Sequence, residues 1–402
     1  MTDKPLLRSA KRVDRRRQGA VCVLVLALGI LGALTDTRAS RPGVGGQTDR
    51  AHLRQTSDQA GPGKWVPTRT PPGTVLAGSA ACAECHRRES ADYAHNPMSA
   101  ALEPASTAMK LVANPGLTYR DGTFNFSITR DGDQSFYLVS DGARSIREPI
   151  LFSFGQGRAG QTYILRHEGE YYESRVSYYL DIAGLDLTLG YRGTSPRTLP
   201  EALGRRLTRD EVTQCFGCHS TNAVSHSTLR LEKLIPGVTC ESCHGPGGGH
   251  IAAGRAGRPN RNLIFNPGTL SGDEISQEFC GACHRGAEEV MTRNAEDGMF
   301  NVRFQPYRLF GSSCYSDDRR ISCLGCHSPH EPLKRNSAHY DTACRSCHQP
   351  SRSVSAGKPR LCRVGTRDCA SCHMPKIDLP GAHFKFTDHR IRIVRPGDPY
   401  PQ

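Results

Sequence analysis

The pentapeptides CFGCH (Cys215–His219) and CESCH (Cys240–His244) open a stretch, residues 215–373, in which the pattern Cys-x-x-Cys-His occurs six times. The other four copies are Cys280–His284 (CGACH), Cys323–His327 (CLGCH), Cys344–His348 (CRSCH) and Cys369–His373 (CASCH). A seventh copy, CAECH, stands apart at Cys82–His86. At the chain's own Cys and His frequencies chance would give roughly 0.03 such pentapeptides, so the pattern is specific.

This spacing is typical of covalent c-type haem attachment, in which two thiols bind the porphyrin and the next residue, an imidazole, reaches the iron. The sequence therefore predicts seven covalently bound c-type haems. The predicted attachment cysteines are Cys82, Cys85, Cys215, Cys218, Cys240, Cys243, Cys280, Cys283, Cys323, Cys326, Cys344, Cys347, Cys369 and Cys372. The predicted proximal iron ligands are His86, His219, His244, His284, His327, His348 and His373.

Zinc is the main alternative, because paired Cys-x-x-Cys units also build Cys₄ sites. Zinc gives no reason for a histidine directly after every second cysteine, and each of the seven pairs has one. A disulfide framework likewise leaves the repeated histidines unexplained.

The N-terminus has the features of an export signal. Seven basic residues within 1–19 precede an apolar stretch, residues 20–34, which is shorter than the roughly 20 residues of a membrane span. Residues 1–39 therefore predict a signal peptide, with an uncleaved inner-membrane anchor as the alternative. A periplasmic or otherwise exported location fits covalent haem attachment, which bacteria perform outside the inner membrane.

The formal charge of +13 is not evidence for nucleic-acid binding. Removing residues 1–39 takes away five net positive charges, and each ferric haem adds about −1 by valence counting. The mature protein is then nearly neutral. We expect redox proteins, periplasmic or membrane-bound, as its partners and no nucleic acid.

Composition changes along the chain predict five segments. Residues 40–75, rich in Gly, Pro and Thr, predict a flexible linker, and residues 76–100 form a first haem segment. In 101–205 apolar residues alternate with polar ones, and Asp-Gly turns recur every ten residues, which predicts a β-rich insertion without a haem motif. Residues 206–402 form a six-haem domain. We expect a mainly α and irregular fold of short helices around a haem-packed core.

A low-spin haem also needs a ligand on its second face. Nine histidines lie outside the motifs, and His52 falls in the predicted linker. Six follow a motif closely and are predicted distal ligands, each for a neighbouring haem: His95, His226, His250, His330, His383 and His389. His167 and His339 are further candidates. Methionine is the rival ligand type, and Met98 competes with His95. Cys314 and Cys362 are candidates for a disulfide in an oxidising compartment.

Four segments resemble bacterial multihaem cytochromes c, a group that includes the tetrahaem acceptor of hydroxylamine oxidoreductase and related octahaem enzymes. They are GVTCESCHGPGGGH (Gly237–His250), SCLGCHSPH (Ser322–His330), CASCHMPK (Cys369–Lys376) and FTDHRI (Phe386–Ile391). The likeness covers about 215–391 well and 76–100 loosely. It implies distal roles for His250, His330 and His389. The Cys-x-x-Cys-Lys motif of the pentahaem nitrite reductases is absent from this sequence.

Two main functions follow. The first is electron transfer through mostly bis-His haems, because eight candidate distal histidines for seven irons leave no obvious open position. The alternative is an oxidoreductase with one open-coordination haem, acting on a small nitrogen or sulfur compound. His284 carries the best candidate for that haem, since residues 285–326 contain no histidine. A docking subunit dominated by the β-rich segment is a third class.

Overall fold

A computed structural model describes residues 65–292, 298–315, 321–348, 362, 364–395 and 397–401. The predicted signal peptide or anchor, most of the predicted linker and His52 lie outside these ranges. The described residues belong to one compact unit. Within the described ranges no helix has both the length and the apolar character that crossing a membrane requires.

The helices are short. They are α1 (Ser79–Ala83), α2 (Arg87–Tyr93), α3 (Met109–Ala113), α4 (Leu199–Leu203), α5 (Arg209–His219), α6 (Cys240–His244), α7 (Gly248–Arg255), α8 (Gly281–His284), α9 (Ala287–Thr292), α10 (Gln305–Phe310), α11 (Asp341–Arg345) and α12 (Cys369–His373). A π-helical turn, Glu274–Phe279, leads into α8. The 3-10 turns are Pro97–Ala100, Leu231–Lys233, Arg261–Leu263, Pro267–Thr269, Gly298–Arg303, Ser313–Tyr315, Cys323–Gly325 and Ser337–Tyr340.

The strands are β1 (Leu102–Pro104), β2 (Gly116–Asp121), β3 (Phe124–Asp131), β4 (Gln134–Ser140), β5 (Ser145–Phe154), β6 (Thr162–His167), β7 (Glu170–Ser174), β8 (Val176–Tyr179), β9 (Gly184–Leu187), β10 (Gly204–Arg206), β11 (Ser220–Thr221), β12 (Val224–Ser225), β13 (Thr228–Leu229), β14 (Ile235–Pro236), β15 (Lys376–Asp378) and β16 (Lys385–Thr387). Eight of them form one antiparallel sheet, in the order β10-β7-β6-β5-β4-β3-β2, with β1 also paired to β5. Two-stranded ladders join β8 to β9, β11 to β14, β12 to β13, and β15 to β16.

Local sequence explains the sheet. Phe124, Phe126 and Ile128 of β3 are buried at alternate positions, as expected for a strand with one covered face. The hairpins between β2, β3 and β4 turn at Gly122 and Gly132, both at φ 58°, a conformation that glycine adopts without steric cost.

The expectation of a mainly α and irregular fold is wrong. The described chain is 35% helix and 23% strand, and its largest element is a curled antiparallel sheet. The physical reason lies in the haem-motif segments. Most of their helices span only a turn or two, because Gly- and Pro-rich connectors follow them, whereas residues 102–206 sustain long alternating strands.

Aromatic contacts join the sheet to the second haem motif. The rings of Phe152 and Phe154, on β5, pack edge-on against the buried ring of Phe216 at 5.2 and 5.3 Å. Phe216 lies inside the motif that ends α5, so the sheet supports the second haem site directly.

Candidate haem-binding site

Each Cys-x-x-Cys-His pentapeptide closes a single helical turn. The amide of His86 donates to the carbonyl of Cys82 at 2.9 Å, and His284 and Cys280 form the same bond at 2.9 Å. His327 and Cys323 repeat it at 2.9 Å, and His348 and Cys344 at 3.0 Å. This local hydrogen bond brings two thiols and one imidazole together at the end of a turn, whether the turn belongs to an α-helix or a 3-10 segment.

A second interaction orients several of the rings. Nδ1 of His219 lies 3.1 Å from the carbonyl oxygen of Ala101. Nδ1 of His244 lies 3.0 Å from the carbonyl oxygen of Phe265, and Nδ1 of His373 lies 2.9 Å from that of Arg392. Metal-binding histidines commonly donate one ring N–H to a carbonyl, which fixes the tautomer and leaves the other nitrogen for the metal. In these three rings Nε2 is the nitrogen left for iron.

Three motif histidines face a histidine from elsewhere in the chain. Ring centroids are 6.3 Å apart in the pair His86–His250, 6.0 Å in His244–His330 and 6.2 Å in His327–His389. Two of the partner rings are also held through Nδ1, His250 by the carbonyl of Asn260 and His389 by that of Thr387.

These separations fit an iron atom held between two imidazoles. A metal–nitrogen bond is about 2.0 Å long, and each nitrogen lies about 1.1 Å from its ring centroid. Two imidazoles on opposite faces of one metal therefore have centroids about 6.2 Å apart. Directly stacked rings would lie closer together. The donor set of each pair therefore suits a bis-His haem, and the cysteines needed for attachment precede one member of every pair.

Burial favours the neutral form of five histidines, which is the form that binds a metal. Burial lowers the pKa of His219, His244, His284 and His327. Burial, and then the neighbouring His327, lowers the pKa of His389 to about 4.

Three other predicted distal ligands have no motif histidine described opposite them. His95 follows α2, His226 occupies the β12–β13 turn at φ 55°, and His339 lies in the 3-10 turn Ser337–Tyr340. The ring of His339 packs edge-on against Tyr340, with centroids 5.2 Å apart. Their roles as distal ligands stay predictions.

His383 and His167 are bound to carboxylates in the structure. Nε2 of His383 lies 2.7 Å from Oδ2 of Asp186, and Nδ1 of His167 lies 2.7 Å from Oε1 of Glu148. Asp186 also accepts hydrogen bonds from Tyr119 and Arg192. Sequence spacing gave no sign of Asp186, because it lies on the β9 strand, 197 residues from His383.

Thiols of different motifs meet in pairs. Cys82 lies beside Cys240, Cys218 beside Cys283, Cys280 beside Cys323, and Cys344 beside Cys369. When the motifs are numbered along the chain, the first therefore lies beside the third, the second beside the fourth, the fourth beside the fifth, and the sixth beside the seventh.

A buried carboxylate holds two of these sites together. Glu241, inside the third motif, is 2% exposed. Its oxygens accept hydrogen bonds from the amides of Ala77, Gly78 and Gly247, each at 2.8 Å. Ala77 and Gly78 lead into α1 and the first motif. A charged residue between the two cysteines was the one sequence signal for this role, and it was missed.

Cys314 and Cys362 are both free thiols in the structure. Burial raises the pKa of Cys314, and the Cys344 and Cys347 thiols nearby add to that effect. Their predicted disulfide stays a prediction.

Known proteins with similar sequences include cytochromes. The family model "Cytochrome c554 and c-prime" matches residues 198–245, which hold the second and third motifs. The dissimilatory sulfite reductase MccA of Wolinella succinogenes is 24% identical over 164 residues, which is 30% of this chain and 23% of that protein. The multiheme cytochrome MtrA of Shewanella baltica is 22% identical over 212 residues, 51% of this chain and 52% of that protein.

The matched regions therefore span about half or less of the length of these curated relatives. Among solved structures, the outer cell wall cytochrome OcwA aligns over 80% of both chains, with a TM-score of 0.39 and 15% identity.

Proposed function

We propose that this chain, a multihaem c-type cytochrome, carries electrons between redox partner proteins through seven covalently attached haems, most of them held by histidine on both faces. The haems would supply one-electron oxidation and reduction, and the polypeptide holds them at fixed separations. We further propose export to the periplasm or beyond, directed by residues 1–39, and the five-segment organisation predicted above.

One observation carries the proposal, namely that the attachment cysteines form a continuous series. Two further pairs of thiols are close enough to interact. The pKa of Cys280 is raised mainly by Cys323 and by burial, and Cys243 raises it further. The pKa of Cys326 is raised mainly by burial, and Cys344 raises it further. Neighbouring thiols therefore support the order first, third, fourth, fifth, sixth, seventh, with the second site beside the fourth. A protein that only bound haem would have no need of such continuity.

The three facing histidine pairs support specific roles for six residues. We assign His250 to the iron of His86, His330 to that of His244, and His389 to that of His327. Each distal histidine then belongs to a different motif segment from its iron, so ligation ties the segments into one body. Bis-His ligation also favours low reduction potentials and closes the iron to substrates.

The test is a haem count followed by ligand removal. Intact mass of the purified holoprotein should show seven haems per chain. His250→Ala, His330→Ala and His389→Ala should each add one high-spin ferric signal, while His52→Ala should add none. Fewer than seven haems would refute the count, and unchanged spectra in all three variants would refute the assigned pairs.

A second function is chemistry on a small nitrogen or sulfur compound, which needs an iron with one open face. The carboxylate partners of His167 and His383 favour it, because they reduce the supply of second ligands. Rapid mixing of the fully reduced protein with sulfite or nitrite tests it. Reoxidation faster than that of a single-haem cytochrome would support the enzyme, and no reoxidation would exclude both substrates.

A further inference from the structure

The imidazole of His383 is fixed by the β-rich segment. Its Nε2 lies 2.7 Å from Oδ2 of Asp186, and its ring packs 4.8 Å from that of Tyr179. The same carboxylate accepts Nη2 of Arg192 at 2.7 Å and the hydroxyl of Tyr119 at 2.8 Å. Nε2 is the nitrogen that the oriented haem histidines keep for iron. In His383 a carboxylate already occupies that position.

His167 has a similar environment at the end of β6. Nδ1 lies 2.7 Å from Oε1 of Glu148, on the neighbouring strand β5, and Nε2 is 4.0 Å from Oε1 of Glu168. Its ring also meets Tyr172 edge-on at 6.0 Å. Both histidines therefore belong to carboxylate networks of the sheet region.

Among the residues that the structure describes, the remaining histidines are one fewer than the remaining motifs. Three of the seven motif histidines face His250, His330 and His389. The four others are His219, His284, His348 and His373. For these the described chain offers three histidines that are not hydrogen-bonded to a carboxylate, namely His95, His226 and His339. His52, the sixteenth histidine, lies outside the described residues.

The sixth and seventh motifs share one nearby histidine. Cys344 lies in α11 and Cys369 in α12, and these two helices contact each other, so the two motifs adjoin. The turn Ser337–Tyr340 contacts both α11 and α12 and carries one histidine, His339. Of the two histidines that follow the seventh motif, His389 faces His327 and His383 is held by Asp186. Residues 349–361, which connect the two motifs, contain no histidine.

We infer that the iron of either His348 or His373 lacks a second histidine and is open to a small lone-pair donor such as carbon monoxide, nitrite or sulfite. This inference rests on the proposed seven haems. It places the ligand-binding site at the C-terminal end of the series of attachment sites, where His348 is solvent-exposed. Small molecules would thus reach the chain at one end, with the rest of the series leading away.

Carbon monoxide is the probe, because ferrous haem binds it at an open face and needs no turnover. The reduced wild-type holoprotein should take up one carbon monoxide per chain, and the oxidised form should show one high-spin ferric signal. His383→Gln and His167→Gln should leave both values unchanged. His339→Gln should raise the uptake to two, and His250→Gln serves as the positive control with the same increase.

Removal of single attachment sites locates the open iron. Replacing Cys344 and Cys347 together, or Cys369 and Cys372 together, with alanine should abolish the uptake in one of the two variants. The inference is overturned if wild type with seven haems binds no carbon monoxide, if it shows a methionine-to-iron band in place of the high-spin signal, or if His383→Gln adds a binding site. Retention of full uptake in both alanine variants would overturn the location. A haem count below seven is a separate result, which contradicts the proposed function.

Discussion

The guanidinium of Arg308 donates hydrogen bonds to both carboxylate oxygens of Asp388, with Nε 2.9 Å from Oδ1 and Nη2 3.1 Å from Oδ2. The two side chains are 1% and 0% exposed. Arg392 adds a third hydrogen bond to Oδ2 at 2.6 Å. Burial alone would raise the pKa of Asp388, but hydrogen bonds from Arg308 and from the amide of Arg390 lower it. Asp388 directly precedes His389, so this ion pair fixes the backbone that presents a proposed iron ligand.

Replacement of Asp388 by asparagine should destabilise the protein strongly. It leaves the buried Arg308 without a counter-charge, a change that typically costs about 3–5 kcal/mol. We expect a lower denaturant midpoint and, because His389 loses its support, a new high-spin signal. Glu84→Gln is the control. It breaks an exposed ion pair with Arg255 and should alter neither measurement, as is usual for surface pairs. Equal midpoints for the wild type and Asp388→Asn would contradict the prediction.

Replacement of Glu241 by glutamine tests the carboxylate that joins the first and third motifs. One oxygen becomes an amide nitrogen, which cannot accept from a backbone N–H, so at least one of three buried donors loses its partner. We expect a loss of about 2 kcal/mol, measured by chemical denaturation.

Glu232→Gln is the matched control, because Glu232 is 62% exposed and its contact with Arg230 spans 3.8 Å. The same loss in both variants would mean that the buried hydrogen bonds are not its cause.

Replacement of Gly381 by alanine should displace the segment that carries His383. Gly381 has φ 83°, which disfavours any side chain, and an added methyl would meet the guanidinium of Arg192. We expect a loss of about 1–2 kcal/mol in thermal or chemical denaturation. Gly254→Ala, in helix α7 with open space around the added methyl, should be neutral or slightly stabilising. Stabilisation by Gly381→Ala would show that the Arg192 contact is not restrictive.

The haem-attachment motifs can be recognised in the sequence because their chemistry is local. Two thiols and an imidazole must lie within five residues, so Cys240 and His244 identify their own site. Distal ligands come from distant segments, and spacing along the chain does not say which ring faces which iron. His250 and His383 both follow a motif within ten residues, yet one faces His86 and the other binds Asp186.

The fold was harder to predict for a related reason. The apolar alternation of Phe124, Phe126 and Ile128 is a clear strand signal, since it depends on neighbours two residues apart. The pairing of β1 with β5, or of β10 with β7, depends on tertiary contacts that no local pattern records. The sheet is therefore larger than the hairpins suggested.

The Asp186 network predicts a stability difference that disappears in acid. Burial alone would raise the pKa of Asp186, but hydrogen bonds from His383, the amide of Leu187 and Tyr119 lower it. A carboxylate whose pKa is lower in the folded than in the unfolded state stabilises the fold above its unfolded pKa, which is about 3.9. That contribution is lost as the pH falls through the lower, folded pKa. Asp186→Asn should therefore unfold at a lower temperature than wild type by a constant margin between about pH 5 and pH 7.

The margin should shrink below about pH 4, where the wild-type carboxylate itself takes up a proton. Thermal unfolding followed by circular dichroism at several pH values gives both curves. Asp378→Asn is the control, because Asp378 is 73% exposed and lies 3.9 Å from Lys385, and its margin should stay near zero throughout. If the difference in unfolding temperature between wild type and Asp186→Asn grows in acid, the carboxylate is protonated in the folded protein. His383 would then lack the anion that holds it away from iron.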